Sequence, residues 1–228
     1  MNIPKACFFD LDGVLLDTEP IHEKAWQKSA LAYGKELTNI QLHGFKGRRR
    51  IDCAKKIVEL IDKGIEIQDF LRTHNSIVSK MINNAKPIEG AENLVNSFIR
   101  LEIPIALVSS SSTQSFKLKS KGHKWLELFT IKVLGDDPLL KEGKPSPDPY
   151  LLAAKKVNVS PKDSWAIEDS LAGANSAAKA GCKVWLLKDK ISTSNAFNKH
   201  NINSSEKNET IDKLETIKRT LEVLIQSA

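Results

Sequence analysis

The stretch FFDLDGVLLDTEP, residues 8–20, decides how the rest of the chain is read. Two phenylalanines run into two carboxylates, Asp10 and Asp12, spaced by one residue, and Gly13 follows at once. A buried strand that ends in a carboxylate and then turns is how open α/β sheets present chemistry at their carboxyl edge. With Ala6 to Phe9 as a strand, period-two alternation points Asp10 and Asp12 to the same side. Two like charges held so close are costly unless something positive lies between them. A divalent cation is the simplest answer, and an all-oxygen ligand set suits Mg²⁺. Taken alone, D-x-D-G also reads as a polar turn after a strand, so the remaining chain has to decide.

Outward from that stretch, the pattern changes twice. Residues 20–33 have a helical stripe, with Pro20 at a first-turn position and Gly34 as the stop. Arg50 to Lys63 repeats it through Ile51, Ala54, Ile57, Val58 and Ile61, and Ile67 to Ile82 makes a third helix. Residues 18–86 therefore read as helices only, an insert after the first strand. From residue 88 helices alternate with short apolar runs. Helices are expected at Ala91–Leu101, Ser112–Gly122, Pro147–Val157 and Ser170–Ala180. Strands are expected at Ile103–Val108, Ile131–Leu134, Trp165–Ile167 and Lys183–Leu187. This order predicts an α/β fold with a doubly wound parallel sheet, covered on both faces. Ile191 to Asn208, rich in Ser, Asn, Lys and Thr, reads as a mobile polar loop. A last amphipathic helix is expected over Ile211–Ile225.

The 228 residues are 41% hydrophobic and 27% charged, ordinary for a globular protein, and no apolar run is long enough to span a membrane. The N-terminus lacks the apolar stretch of a signal peptide. Three widely spaced cysteines, Cys7, Cys53 and Cys182, argue for a reducing, cytoplasmic setting. The net charge of +6 is concentrated: residues 18–88 hold 13 Lys/Arg against 8 Asp/Glu, with His22, His43 and His74. A basic segment can mean nucleic acid. Here there is no aromatic interleaving and no binding motif, so the alternatives are a solvated surface and an anionic small substrate. The expectation is no nucleic acid partner, no membrane and a monomer.

Three later segments bring chemistry to the same sheet edge. Ser109 and Ser110 follow the strand at 103–108, Glu168 and Asp169 follow the strand at 165–167, and Lys144 sits on the proline-rich loop GKPSPDP. In a parallel sheet all carboxyl ends share one edge. Asp10 and Asp169 offer hard oxygen ligands, and Glu168 adds to them directly or through water. Ser109 with neighbouring backbone N–H groups, and Lys144 as a point charge, suit phosphoryl oxygens. One aspartate can then attack phosphorus, and the other can protonate the leaving oxygen and activate water.

The set FFDLDGVLLDTEP, ALVSS, GKPSPDPY and AIEDSLAGANSAAKAG, in that order over residues 6 to about 187, resembles the haloacid dehalogenase superfamily of phosphohydrolases. The helical insert resembles the cap of its beta-phosphoglucomutase and xylulose-bisphosphate phosphatase (CbbY) branch. The resemblance implies a Rossmann-like core over residues 1–17 and 88–228 and a helical cap over 18–87. It implies Asp10 as nucleophile and Asp12 as general acid/base and metal ligand through its backbone carbonyl. It implies Asp169 and Glu168 at Mg²⁺, and Ser109, Ser110 and Lys144 at phosphate. Glu19, His22, Lys46, Gly47 and Arg50 would face the substrate, Arg50 holding a non-transferring anionic group. His74 falls where the mutases carry a cap lysine, and it also lies on an apolar stripe. That departure favours a phosphatase of a sugar phosphate or bisphosphate over a mutase. A non-catalytic binding protein is the remaining alternative.

Overall fold

The computed structural model describes residues 2–46, 48–61, 64–82, 85–188 and 208–227. The first strand is β1 (Ala6–Phe9), all four residues buried. After it the chain folds back on itself: the Leu15 and Leu16 amides both donate to the Leu11 carbonyl, and Gly13 N–H donates to Leu16 O. Gly13 has φ +84°, a conformation that L side chains rarely adopt, and a Cβ there would overlap the Asp169 carboxylate. Position 13 is thus restricted to glycine by both backbone and space.

The chain then forms β2 (Leu16–Asp17), which pairs antiparallel with β3 (Lys86–Pro87). Between them lie α1 (Glu19–Ala32), α2 (Asn39–Phe45), α3 (Arg50–Ile61) and α4 (Ile67–Ser79). The insert is therefore not purely helical at its ends, because the β2/β3 pair closes it. The short α2 is an addition to the sequence reading. It is started by a capping box, in which Thr38 Oγ1 accepts from Gln41 N–H and the Gln41 side chain accepts from Thr38 N–H. Trp26, Ala30, Phe45, Ala54, Ile57 and Phe70 build the insert's own apolar cluster.

The remaining elements are α5 (Ala91–Arg100), β4 (Ile105–Val108), α6 (Thr113–Ser120), β5 (Ile131–Val133), α7 (Asp148–Val157), β6 (Ser164–Glu168), α8 (Leu171–Ala180), β7 (Lys183–Leu187), β8 (Glu209–Ile211) and α9 (Glu215–Gln226). Among the described residues, six strands form a parallel sheet in the order β5-β4-β1-β6-β7-β8. Alternation along each strand supplies two cores. Cys7, Phe9, Leu107, Ile167 and Trp185 face α5 and α9. Phe8, Val108, Ala166, Val184 and Leu186 face α7 and α8. The sheet is doubly wound and covered on both faces, as expected.

One boundary is corrected. Ile211 was expected to open the last helix, but it ends β8, where it is 5% exposed and paired beside Leu187. The last helix begins at Glu215. Ile211 fits the apolar stripe in sequence, and the Lys183–Glu209 ion pair and the Lys188 N–H to Ile211 O bond tie its segment to the sheet edge instead. The expected loop at 191–208 lies outside the described residues, save Asn208.

Phe9 stands immediately before Asp10 and contacts Phe98 and Phe129 edge-on, with centroids 5.6 and 5.5 Å away. Phe9→Ala should destabilise the protein by about 3–5 kcal/mol in denaturant unfolding, while a loss below about 1 kcal/mol would mean that this core collapses around the gap.

Candidate active site

The carboxyl ends of β1, β4 and β6 adjoin in the sheet, and their side chains meet as the topology requires. Asp10, Asp12, Gly13, Ser110, Ser111 and Asp169 line a cavity of about 870 Å³. The insert closes over it with Glu19, His22, Trp26, Lys46 and Arg50. Behind this wall, buried Lys144 donates to Asp10 Oδ1 at 2.6 Å, to Val108 O at 2.9 Å and to Glu168 Oε1. Tyr150 also donates to Glu168 Oε1, and Ser170 Oγ lies 3.4 Å from Oε2. Ser109 is buried and accepts from the Ser111 N–H. Ser109, Lys144 and Glu168 are not among the residues that line the cavity.

The two aspartates of the opening motif have different surroundings. Asp10 leans on Lys144, whereas Asp12 takes hydrogen bonds from Thr18, Ser111 and Lys119. His22 Nε2 lies 3.8 Å from Asp12 Oδ1. The sequence argument placed one cation between Asp10 and Asp12; the structure gives each its own lysine. Lys119 was not foreseen. In TQSFKLKS it reads as one of several solvated lysines, yet its residue is 2% exposed. The available signal was its position: Ser115, Phe116 and Lys119 are the buried residues of α6.

The residues do fit a metal ion. Carboxylate oxygens of Asp10, Glu168 and Asp169, all buried, lie within 4.8 Å of one another. The Asp12 side chain is not part of that group. Asp169 Oδ2 has the Lys46 ammonium at 3.0 Å, a positive charge reaching the acidic group from the insert. Burial pushes Asp10 up to about 7 against the opposing pull of Lys144, and burial likewise raises Asp169 to about 7 against the pull of Lys46. Burial works the same way on Asp12, but Lys119 and His22 outweigh it and hold that carboxyl well below the usual range. Burial and then the Asp169 charge raise Glu19. Burial and then the Lys119 charge lower His22.

Arg50 donates to Asn75 Oδ1 at 2.8 Å through Nη1, while its buried Nη2 has no hydrogen-bond partner among the described residues. The neighbouring arginines are held locally, Arg48 by Gly44 O and Arg49 by Asp52. His74 is fully buried and stacks on Trp26 with centroids 3.7 Å apart, outside the cavity lining. Gly47 lies outside the described residues.

An open α/β sheet with clustered carboxylates, a buried lysine and a helical insert over one cavity has the make-up of an enzyme site. The sequence comparison gives the family: residues 7–187 match the haloacid dehalogenase-like hydrolases, and the chain belongs to that family. It is 31% identical over 189 residues to the mitochondrial (DL)-glycerol-3-phosphatase 1 of Arabidopsis thaliana, covering 79% of this chain and 63% of that protein. It is 32% identical over 187 residues to the probable pseudouridine-5'-phosphatase of Drosophila melanogaster, covering 80% and 81%. The beta-phosphoglucomutase of Clostridium difficile shares the fold with TM-score 0.79 at 23% identity, over 97% of this chain and 99% of that one. No helix among the described residues is long and apolar enough to cross a membrane.

Burial of the Asp169 carboxyl, with the Asp10 charge as the smaller contribution, has a measurable sign. A folded-state value raised from 3.8 to about 7 means that Asp169 favours folding below 3.8 and loses that contribution as pH rises through 7. Asp169→Asn should therefore raise the thermal unfolding temperature at pH 8 in chelator, with the gain shrinking as pH falls toward 3.8. A variant less stable than the parent in chelator at pH 8 would contradict a net cost of burying the Asp169 charge.

Proposed function

We propose that the protein is a Mg²⁺-dependent phosphoric monoester hydrolase that acts on a small phosphorylated metabolite through an aspartyl phosphate on Asp10. The observation that carries this reading is the meeting of Asp10, Asp169 and Lys144 beside one cavity, with Asp12 at its wall. The family and the phosphatases among its relatives point the same way.

Asp10, Asp169, Glu168 and the Asp12 backbone carbonyl would hold the ion, which when bound offsets phosphate charge and draws the ester to the edge. Lys144 steadies the Asp10 carboxylate and offers positive charge toward the same oxygens. Ser109 and Ser110, in the turn after β4, are read as the phosphoryl-oxygen binders, and Ser110 lines the cavity. Asp10 attacks phosphorus, the P–O ester bond breaks, and the leaving oxygen takes a proton from Asp12. Water then attacks the acyl phosphate and passes a proton back to Asp12, releasing phosphate and restoring Asp10. Asp12 needs its proton only for the first step; the dianion of an arriving ester opposes the pull of Lys119 and favours the protonated form.

Residues 18–87 are read as a cap that closes on the bound ester and excludes water from the first step. Lys46, Glu19 and His22 face the substrate from it. Arg50, whose buried Nη2 at the cavity has no partner among the described residues, would hold a second anionic or hydroxyl group of a sugar phosphate or bisphosphate. His74 bears on the choice between phosphatase and mutase. Stacked on Trp26, absent from the cavity lining and held neutral by burial, it offers no charge to retain and reorient a bisphosphate.

Phosphate release from p-nitrophenyl phosphate should require Mg²⁺ and fall by at least about a thousandfold in Asp10→Asn; turnover that survives that substitution would refute Asp10 as nucleophile. Arg50→Ala should raise KM about tenfold or more for a substrate with a second anionic group and leave kcat for p-nitrophenyl phosphate within about twofold. An equal loss on both substrates would show that Arg50 serves the fold instead.

A further inference from the structure

We infer that Lys119 is a positioning residue for the hydrolysis half of the reaction: from behind the site it fixes the Asp12 carboxylate and the Ser111 hydroxyl against each other. The inference rests on the reading of Asp12 as the group that activates water. Lys119 Nζ donates to Asp12 Oδ1 and, at 2.8 Å, to Ser111 Oγ; Ser111 Oγ–H donates to Asp12 Oδ2 at 2.9 Å. Thr18 donates to Oδ1 as well. Both carboxylate oxygens are thus held by three donors from three places, the junction of β2 and α1, the turn after β4, and α6. The lysine does not line the cavity, so it acts through Asp12 and not on the substrate.

The geometry is unlike that of a stabilising core contact. Lys119 has no side-chain exposure, and burying an ammonium and a carboxylate together costs more than filling the same space with an apolar side chain. Nor is the pair a surface ion bridge of negligible effect. Its anchor is firm: α6 is capped by Ser112, whose side chain accepts from Ser115 N–H at 3.3 Å, and Phe116 one turn before Lys119 is buried in the main core. A carboxylate that must accept a proton from water while next to an acyl phosphate needs one orientation, and a rigid donor on a packed helix supplies it. Lys144 is already committed to Asp10 and Glu168, so the two lysines divide the work between the two aspartates.

The test uses p-nitrophenyl phosphate, whose leaving group needs no proton donor, so that the step dependent on Asp12 is hydrolysis of the phosphorylated protein. Lys119→Met should lower kcat by about tenfold or more and leave kcat/KM within about threefold. It should also show a burst of nitrophenolate as phosphorylated Asp10 accumulates. In an Asp12→Asn background the same substitution should change kcat by less than about twofold. Thermal unfolding of the single and double variants establishes that each is folded; should Lys119→Met alone fail to fold, the double variant, which removes both buried charges, supplies the comparison with Asp12→Asn. Equal losses in kcat and kcat/KM without a burst, or the same fold-loss in the Asp12→Asn background, would overturn the inference. A parent protein that forms no phosphorylated Asp10 would instead refute the hydrolase mechanism on which it rests.

Discussion

Four carboxylates, Asp10, Asp12, Glu168 and Asp169, are brought to one end of a parallel sheet, and the structure depends on how their mutual repulsion is met. In water such charges would cost each other little; beneath a helical insert they are largely desolvated, and the repulsion rises steeply. Three lysines answer it from three directions. Lys144 comes from the proline-rich loop between Asp10 and Glu168, Lys119 comes from α6 behind Asp12, and Lys46 reaches down from the insert to Asp169. The first two are buried and committed. The third sits beside the carboxylates that would hold a metal ion, on a segment that also lines the cavity.

This arrangement explains why the chain tolerates so little freedom near the site. Gly13 has to be glycine because Asp169 lies against it, and Gly173 because the Glu168 carboxylate does. Gly143, one residue before Lys144, leaves room for the Arg49 side chain, a contact between the proline-rich loop and the insert. The apolar strands position the charges, and the glycines let backbone and carboxylate approach closely enough for the lysines to reach.

Much of this was legible in the sequence because strands of a covered parallel sheet are continuous apolar runs. CFF before Asp10, IALV before Ser109 and WAI before Glu168 placed the strand ends, and with them most of the site. The missing parts share a physical cause: each depends on a tertiary partner and not on a local pattern. Lys119 looks like a solvated lysine until α6 is packed with Phe116 inward. The three residues of β8 have too little periodicity to show, and Ile211 joins them only because β7 offers an edge. The seven-residue α2 is set by its capping box more than by an apolar stripe. His74 went the other way: its stripe position indicated burial, and the ring is fully buried against Trp26.

The division of roles between Asp10 and Asp12 is the centre of the account, and it can be read chemically. Protein mixed with Mg²⁺ and p-nitrophenyl phosphate, quenched in acid within milliseconds and reduced with borohydride, should carry homoserine at position 10 and nowhere else when its peptides are sequenced by mass. Phosphate found on Ser109, reduction at position 12, or steady turnover with no acyl phosphate at any residue would contradict it.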